Sequence, residues 1–212
     1  MSLQAIVFDF DGVLVESVDV KTQAFATLYK PWGEKVVAQV VAWHLEHGGV
    51  SRFEKFRHFH RYILCKELDE AEEERLGRMF SQLVEDAVVA ADWVDGAEDF
   101  LKSYAGKLPL FVASGTPEVE LRRIISRRRM EGFFRGIFGS PARKGEILRR
   151  IAEYHGYEPQ NMLMVGDAVT DLEGAREAGV SFIGRVGSKQ TNPFPQEVKV
   201  ISSLHHLNAQ CG

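Results

Sequence analysis

Two carboxylates two residues apart, Asp9 and Asp11, follow a short apolar run in the segment Ala5-Ile-Val-Phe-Asp9-Phe-Asp11-Gly-Val13. A hydroxyl, Ser114, follows the run Leu110-Phe-Val-Ala113, and Met162-Leu-Met-Val165 leads through Gly166 to Asp167 and Asp171. Lys144, next to Arg143, lies between the last two runs. Carboxylates supply hard oxygen ligands, while a lysine and a hydroxyl suit an anion, so this inventory fits a divalent cation beside a phosphate. Such clustered acids need the cation: two unit charges about 4 Å apart repel by about 4 kcal/mol at an effective dielectric of about 20.

These groups can act together only if secondary structure brings them to one place. Near-continuous apolar runs are what parallel strands buried on both faces show. In open α/β sheets the ligand crevice lies beyond the carboxyl ends of the strands, which is where Asp9, Ser114 and Asp167 stand. Ser114-Gly-Thr116-Pro117 predicts Thr116 as an N-cap and Pro117 at the first helical position, so a helix N-terminus opens behind Ser114. Thr170-Asp-Leu-Glu173 reads as a capping box with Gly179 ending that helix, and Ser140-Pro141 as the start of the helix carrying Lys144. Residues 18–92 show no strand. They read as helices near 18–29, 34–46, 51–65 and 69–90, broken at Pro31–Gly33, Gly48–Gly49 and Lys66–Leu68. The expected fold class is α/β: a Rossmann-like three-layer α/β/α core with a parallel sheet, residues 1–16 and 93–212. An all-helical cap of four-helix-bundle type, residues 17–92, is inserted after the first strand.

The 212 residues are 45% hydrophobic and carry a net charge of −4, which speaks against a nucleic-acid binder that relies on an overall positive field. The two cysteines, Cys65 and Cys211, are too few and too far apart for a disulfide framework or a cysteine-based zinc site. The opening MSLQAIVFDFDG lacks the basic segment of a signal peptide, and no apolar run reaches the ~18 residues of a membrane span, so a cytoplasmic protein is expected. Arg122, Arg123, Arg127, Arg128 and Arg129 interleave with Leu121, Ile124 and Ile125 at helical spacing and read as a solvated helix face. His44, His47, His58 and His60 lack the acid and cysteine company of a zinc site, and the phenylalanines near 53–59 and 133–138 read as core.

In order and spacing, Asp9-Phe-Asp11-Gly-Val13, Ser114, Lys144 and Gly166-Asp-Ala-Val-Thr-Asp171 resemble the four motifs of the haloacid dehalogenase superfamily, in its Mg²⁺-dependent phosphatase and phosphomutase branch. The resemblance runs from Asp9 to about Gly179. It implies Asp9 as the nucleophile that forms an aspartyl-phosphate, and Asp11 as general acid and then base. It implies Ser114 and the backbone around Gly115 as holders of the phosphoryl oxygens, with Lys144 bridging phosphate and nucleophile. Mg²⁺ would sit on Asp9, Asp167 and the Asp11 carbonyl, with Asp171 a more distant ligand. Acid work by Asp11 calls for a raised pKa, which neighbouring carboxylates would supply.

Gly48-Gly-Val-Ser-Arg52 resembles the cap specificity loop of β-phosphoglucomutase-like members, with Arg52 reaching the substrate. Lys21, with Arg52 a candidate for substrate specificity, stands where the mutases carry a histidine; Val13 and Glu16 replace the Thr and Asp of phosphatase signatures. The implied activity is phosphomonoester hydrolysis of a small sugar or organic-acid phosphate, with no nucleic-acid or membrane partner. The alternatives are a sugar phosphomutase and, further off, a phospho-aspartate signalling module.

Overall fold

The computed structural model describes residues 3–188 and 190–210, with side chains as far as Leu207. Six parallel strands form one sheet in the order β3-β2-β1-β4-β5-β6: β1 Ala5–Phe8, β2 Leu110–Pro117, β3 Gly136–Ser140, β4 Met162–Gly166, β5 Ser181–Arg185 and β6 Val200–Ile201. β1 is central, with Ile6 opposite Leu110 on one side and Leu163 on the other. Side chains alternate across a strand, so Ala5 and Val7 enter one apolar cluster and Ile6 and Phe8 the other. The first cluster packs against α7 (Lys144–His155) and α8 (Val169–Ala178) through Ile147, Leu148, Ile151 and Ala175. The second packs against α5 (Ala97–Tyr104) and α6 (Glu118–Arg127) through Phe100, Leu101, Leu121, Ile124 and Ile125. Both faces are covered, which is why β1 and β4 are apolar throughout and give no alternating pattern.

All residues from 18 to 90 that form regular structure are helical: α1 Val18–Tyr29, α2 Glu34–Glu46, α3 Arg52–His58 and α4 Glu70–Ala90, the last capped by Asp69, whose Oδ1 accepts the Glu72 N–H at 2.8 Å. The expected third helix winds wider over Phe59–Leu64, a π-helical turn, and ends at Cys65 with φ 51°. Phe25, Tyr29, Phe56, Phe59 and Phe80 are buried between these helices, with ring centroids 4.5 Å apart for Phe25–Phe80 and 5.6 Å for Phe25–Phe59. The chain leaves and returns at adjacent points, for Glu16 N–H donates to the Asp92 carbonyl and Val94 N–H to that of Leu14. Among the described residues no helix is long and apolar enough to cross a membrane. Cys65 is exposed, and Cys211 lies outside the described residues, as does any pairing of the two.

Three expected helix starts move, and in two of them a tertiary partner takes the capping hydroxyl. β2 continues to Pro117, which precedes α6, and the Thr116 hydroxyl bonds Lys21 and Asp11 instead of capping. Ser140 ends β3, and α7 begins at Lys144. α8 begins at Val169; Thr170 is spent on the Gly48 carbonyl at 2.8 Å, and Asp171 caps the helix by accepting the Ala168 N–H.

The arginines of α6 also differ from a plain solvated face. Arg123 and Arg127 pair with Glu85, and Arg127 with Asp86, on α4. Arg128 is half-buried and donates to the carbonyls of Val88, Val89 and Ala91 at 3.0, 2.8 and 2.6 Å, closing the C-terminus of α4. The carbonyls at a helix end have no partners of their own, so Arg128→Ala is expected to cost about 1.5–3 kcal/mol, read from urea unfolding.

Candidate active site

Asp9 and Asp167 follow the adjacent strands β1 and β4, and Ser114 lies in β2 just past the residues that pair with β1, so the three stand at one end of the sheet. Lys144 opens α7 and reaches Asp9 Oδ2 at 2.9 Å; it also pairs with Asp171 Oδ1. All three groups are buried. The second Asp171 oxygen accepts the backbone N–H groups of Asp167 and Ala168, each at 3.1 Å. Asp171 therefore ties the lysine to the turn that carries Asp167. Gly12 takes a left-handed φ of +74°, and a Cβ there would meet Asp167 Oδ2 at 2.2 Å, so only glycine fits the turn after Asp11.

Carboxylate oxygens of Asp9, Asp167 and Asp171 lie within 4.8 Å of one another. Burial pushes the Asp9 carboxyl up to about 7; Asp171 and Asp11 push the same way, and Lys144 opposes them. Burial, with Asp9 and Asp171, raises Asp167 well above the ordinary carboxylate range. Among the described residues no hydrogen bond or ion pair reaches the Asp167 carboxylate. A hard divalent cation fits this donor set: it takes oxygen ligands and offsets the charge that one lysine leaves uncompensated.

Asp11 sits differently. Its Oδ1 accepts the Ser17 hydroxyl at 2.5 Å, and its Oδ2 is bonded by Lys21 and by Thr116 Oγ1 at 3.2 Å. Burial pushes its pKa up, but Lys21 and these hydrogen bonds outweigh it and hold the carboxyl below its ordinary value. The raised value expected from carboxylate neighbours is thus corrected: the nearest charge is the Lys21 ammonium. Lys21 also donates to Thr116 Oγ1 at 2.8 Å, linking α1 to the end of β2.

Ser114 is buried, its Oγ accepting the Thr116 N–H at 3.1 Å, while Gly115 and Thr116 line the cavity. A Cβ on Gly115 would meet the Gly49 carbonyl oxygen at 2.5 Å, so the 48–50 loop lies directly on this turn. Arg52 lines the cavity with its guanidinium held by both Glu120 oxygens at 2.9 and 2.5 Å, joining α3 to α6. The cavity, about 410 Å³, is walled by Asp9, Asp11 and Asp167 below and by α1–α4 residues including Lys21, Phe25, His44 and Lys55 above.

Sequence reasoning missed Ser17, Glu120 and Arg185, and read Thr116 and Thr170 only as helix caps. Arg185, at the end of β5, is buried and donates to the Gly12 carbonyl at 3.0 Å and to Glu16 Oε1 at 2.5 Å, pinning the loop that carries Asp11. A buried arginine ending a strand carries no local signal; only its partners, far away in sequence, reveal it.

The sequence profile of haloacid dehalogenase-like hydrolases matches residues 3–179. A phosphoglycolate phosphatase of Synechococcus elongatus is 26% identical over 191 residues, covering 84% of this chain and 81% of that protein. A 5'-nucleotidase of Pseudomonas aeruginosa is 32% identical over 96 residues, but the match covers only 42% of this chain and 43% of that protein. Among solved structures, a Bacillus subtilis HAD-hydrolase bound to magnesium has a TM-score of 0.74 at 17% identity, covering 100% of this chain and 99% of its own, a likeness of fold.

Proposed function

The chain belongs to the haloacid dehalogenase-like hydrolase family and is one of its phosphatases, and from that premise we propose that it hydrolyses small sugar or organic-acid phosphomonoesters with Mg²⁺ in the cytoplasm. Residues 17–92 act as a cap over a core made of 1–16 and 93–212. The observation that carries the reading is the group of Asp9 and Asp171, both buried, and the half-buried Asp167 around Lys144, at the floor of a cavity sized for a small metabolite.

Asp9 attacks phosphorus, and the bond to the leaving oxygen breaks, giving an aspartyl-phosphate. Lys144 holds the attacking carboxylate in place and faces the charge gathering on the phosphoryl oxygens. The N–H groups around Gly115 and the Ser114 hydroxyl receive those oxygens. Asp11 protonates the leaving oxygen; because it rests ionised against Lys21, that proton comes with the substrate. Asp11 then takes a proton from water, which attacks phosphorus; the bond to Asp9 breaks, and the departing inorganic phosphate carries that proton away, leaving Asp11 ionised again. Asp9, Asp167 and the Asp11 carbonyl would hold Mg²⁺, while Asp171, with both oxygens engaged, orients Lys144 and the Asp167 turn. When bound, Mg²⁺ lowers the repulsion between the Asp9 carboxylate and a phosphate dianion.

The test is a phosphate-release screen over phosphoglycolate, sugar phosphates and nucleotides, with Mg²⁺ and with EDTA. Turnover should fall at least ~100-fold in EDTA and return on adding Mg²⁺. Turnover unchanged by EDTA would count against the metal, and a rearranged phosphosugar without free phosphate would favour the mutase reading.

A further inference from the structure

Lys55, on α3, is 3% exposed, yet it lines the cavity above Asp9 and Asp11. Lysine is almost never fully buried without a partner, because desolvating an ammonium costs several kcal/mol. The other charged bases lining the cavity have acids: Lys21 has Asp11, Arg52 has Glu120 and Arg185 has Glu16. Among the described residues Lys55 has none. Its Nζ lies 2.7 Å from His44 Nδ1 and 3.3 Å from the His44 carbonyl oxygen, and 5.8 Å from the centre of the Phe25 ring. Glu46 also lines the cavity, but it is exposed and makes no ion pair with Lys55.

His44 completes the arrangement. Burial and the nearby Lys55 and Lys21 charges push its pKa down to about 3, so the imidazole is neutral. With Nδ1 accepting from Lys55, the proton lies on Nε2, which is buried and has no partner. A buried amine without an acid and an N–H without an acceptor therefore stand side by side in the cavity roof, on α3 and α2. Burial and Lys21 push Lys55 down to about 7, while Asp167 and Asp11 pull it up, so the amine is poised to take full charge when an anion arrives.

We propose that Lys55, seated on His44, receives a second anionic group of the substrate, a carboxylate or a second phosphate, so that the enzyme selects phosphomonoesters charged at the end away from the scissile phosphate. The proposal rests on the phosphatase reading above and adds the substrate class. Both anions offer oxygen acceptors to Nζ, and the pair supplies the missing charge that the fold itself withholds.

The experiment compares kcat and KM of the wild type and Lys55→Met on two matched pairs. One is phosphoglycolate against ethylene glycol monophosphate; the other is propanediol bisphosphate against propanediol monophosphate. Each pair differs only at the remote group. The wild type should prefer the charged member of at least one pair by roughly 100-fold in kcat/KM, and the preferred pair tells carboxylate from phosphate. Lys55→Met should erase that preference mainly through KM, leaving the neutral member within about 3-fold of wild type. Lys55→Gln, with its thermal midpoint measured alongside, serves as a second variant of similar length. Equal rates on charged and neutral members in the wild type, or equal losses on both in the variants, would overturn the proposal. Release of phosphate from p-nitrophenyl phosphate with no preference in either pair would overturn only this inference. No release from any of these substrates with Mg²⁺ would overturn the phosphatase reading, and this inference with it.

Discussion

Asp9→Asn is expected to lower kcat by roughly 10⁴-fold or more, because the replacement keeps the shape of the side chain and removes its nucleophile. Residual turnover above that level, in protein freed of contaminating phosphatase, would sink the assignment. The variant should remain folded, since Asn still offers an oxygen to the Phe10 N–H that Asp9 Oδ1 accepts at 2.7 Å. Its stability should also change with pH in a predictable direction. The Asp9 carboxyl titrates near 7 when folded, above its ordinary value of 3.8, so the folded state holds the proton more tightly than the unfolded chain. That contribution to stability is present below about pH 4 and is lost as pH rises towards 7. Metal-free wild type should therefore lose stability over this range in urea unfolding, Asp9→Asn should lose less, and added Mg²⁺ should flatten the wild-type curve. A wild-type curve that rises instead would mean that Lys144 dominates the Asp9 carboxyl.

Lys144→Met should be the most damaging single change to the site, affecting fold and chemistry together. Lys144 is buried between Asp9 and Asp171, and burial alone would lower its pKa; the two carboxylates reverse this and hold it charged. Without it, three mutually close carboxylates face one another with no resident cation. Removing one partner of a buried ionic group typically costs about 3–5 kcal/mol, since the charges left behind are uncompensated. The expected result is a destabilisation of that size in EDTA, smaller in Mg²⁺, with kcat/KM lowered roughly 10²–10⁴-fold. A variant that folds as stably as wild type without metal would show that Asp9 and Asp171 relax apart. A variant with normal kcat would remove Lys144 from the chemistry.

The two predictions concern residues legible in the sequence for different reasons. Asp9 follows a strand whose four residues are all apolar, a local pattern that places its carboxylate at a strand end. Lys144 carries no such pattern. Only the order of the motifs marked it, and the expected helix start at Ser140-Pro141 fell short of the lysine's true position at the head of α7. The helices at 18–29, 34–46 and 69–90 were readable because apolar spacing and the breakers between them are local properties. The π-helical turn after α3 was not, since it depends on how Phe59 and its neighbours pack against the other helices.

Residue type and short-range spacing by themselves determined the strands, the helical stretch after β1, the acids at the strand ends and the inventory for a cation beside a phosphate. Those features follow from neighbours a few residues apart along the chain. Tertiary structure alone decided the charge state of Asp11, because Lys21 comes from a helix that folds back over the strand end. It alone decided that Arg52 is held by Glu120, that Thr116 and Thr170 bond across the cavity instead of capping helices, and that Lys55 is buried without an acid. A pKa or a hydrogen bond depends on distances of a few ångströms between groups far apart in sequence, and only the packed chain sets those distances.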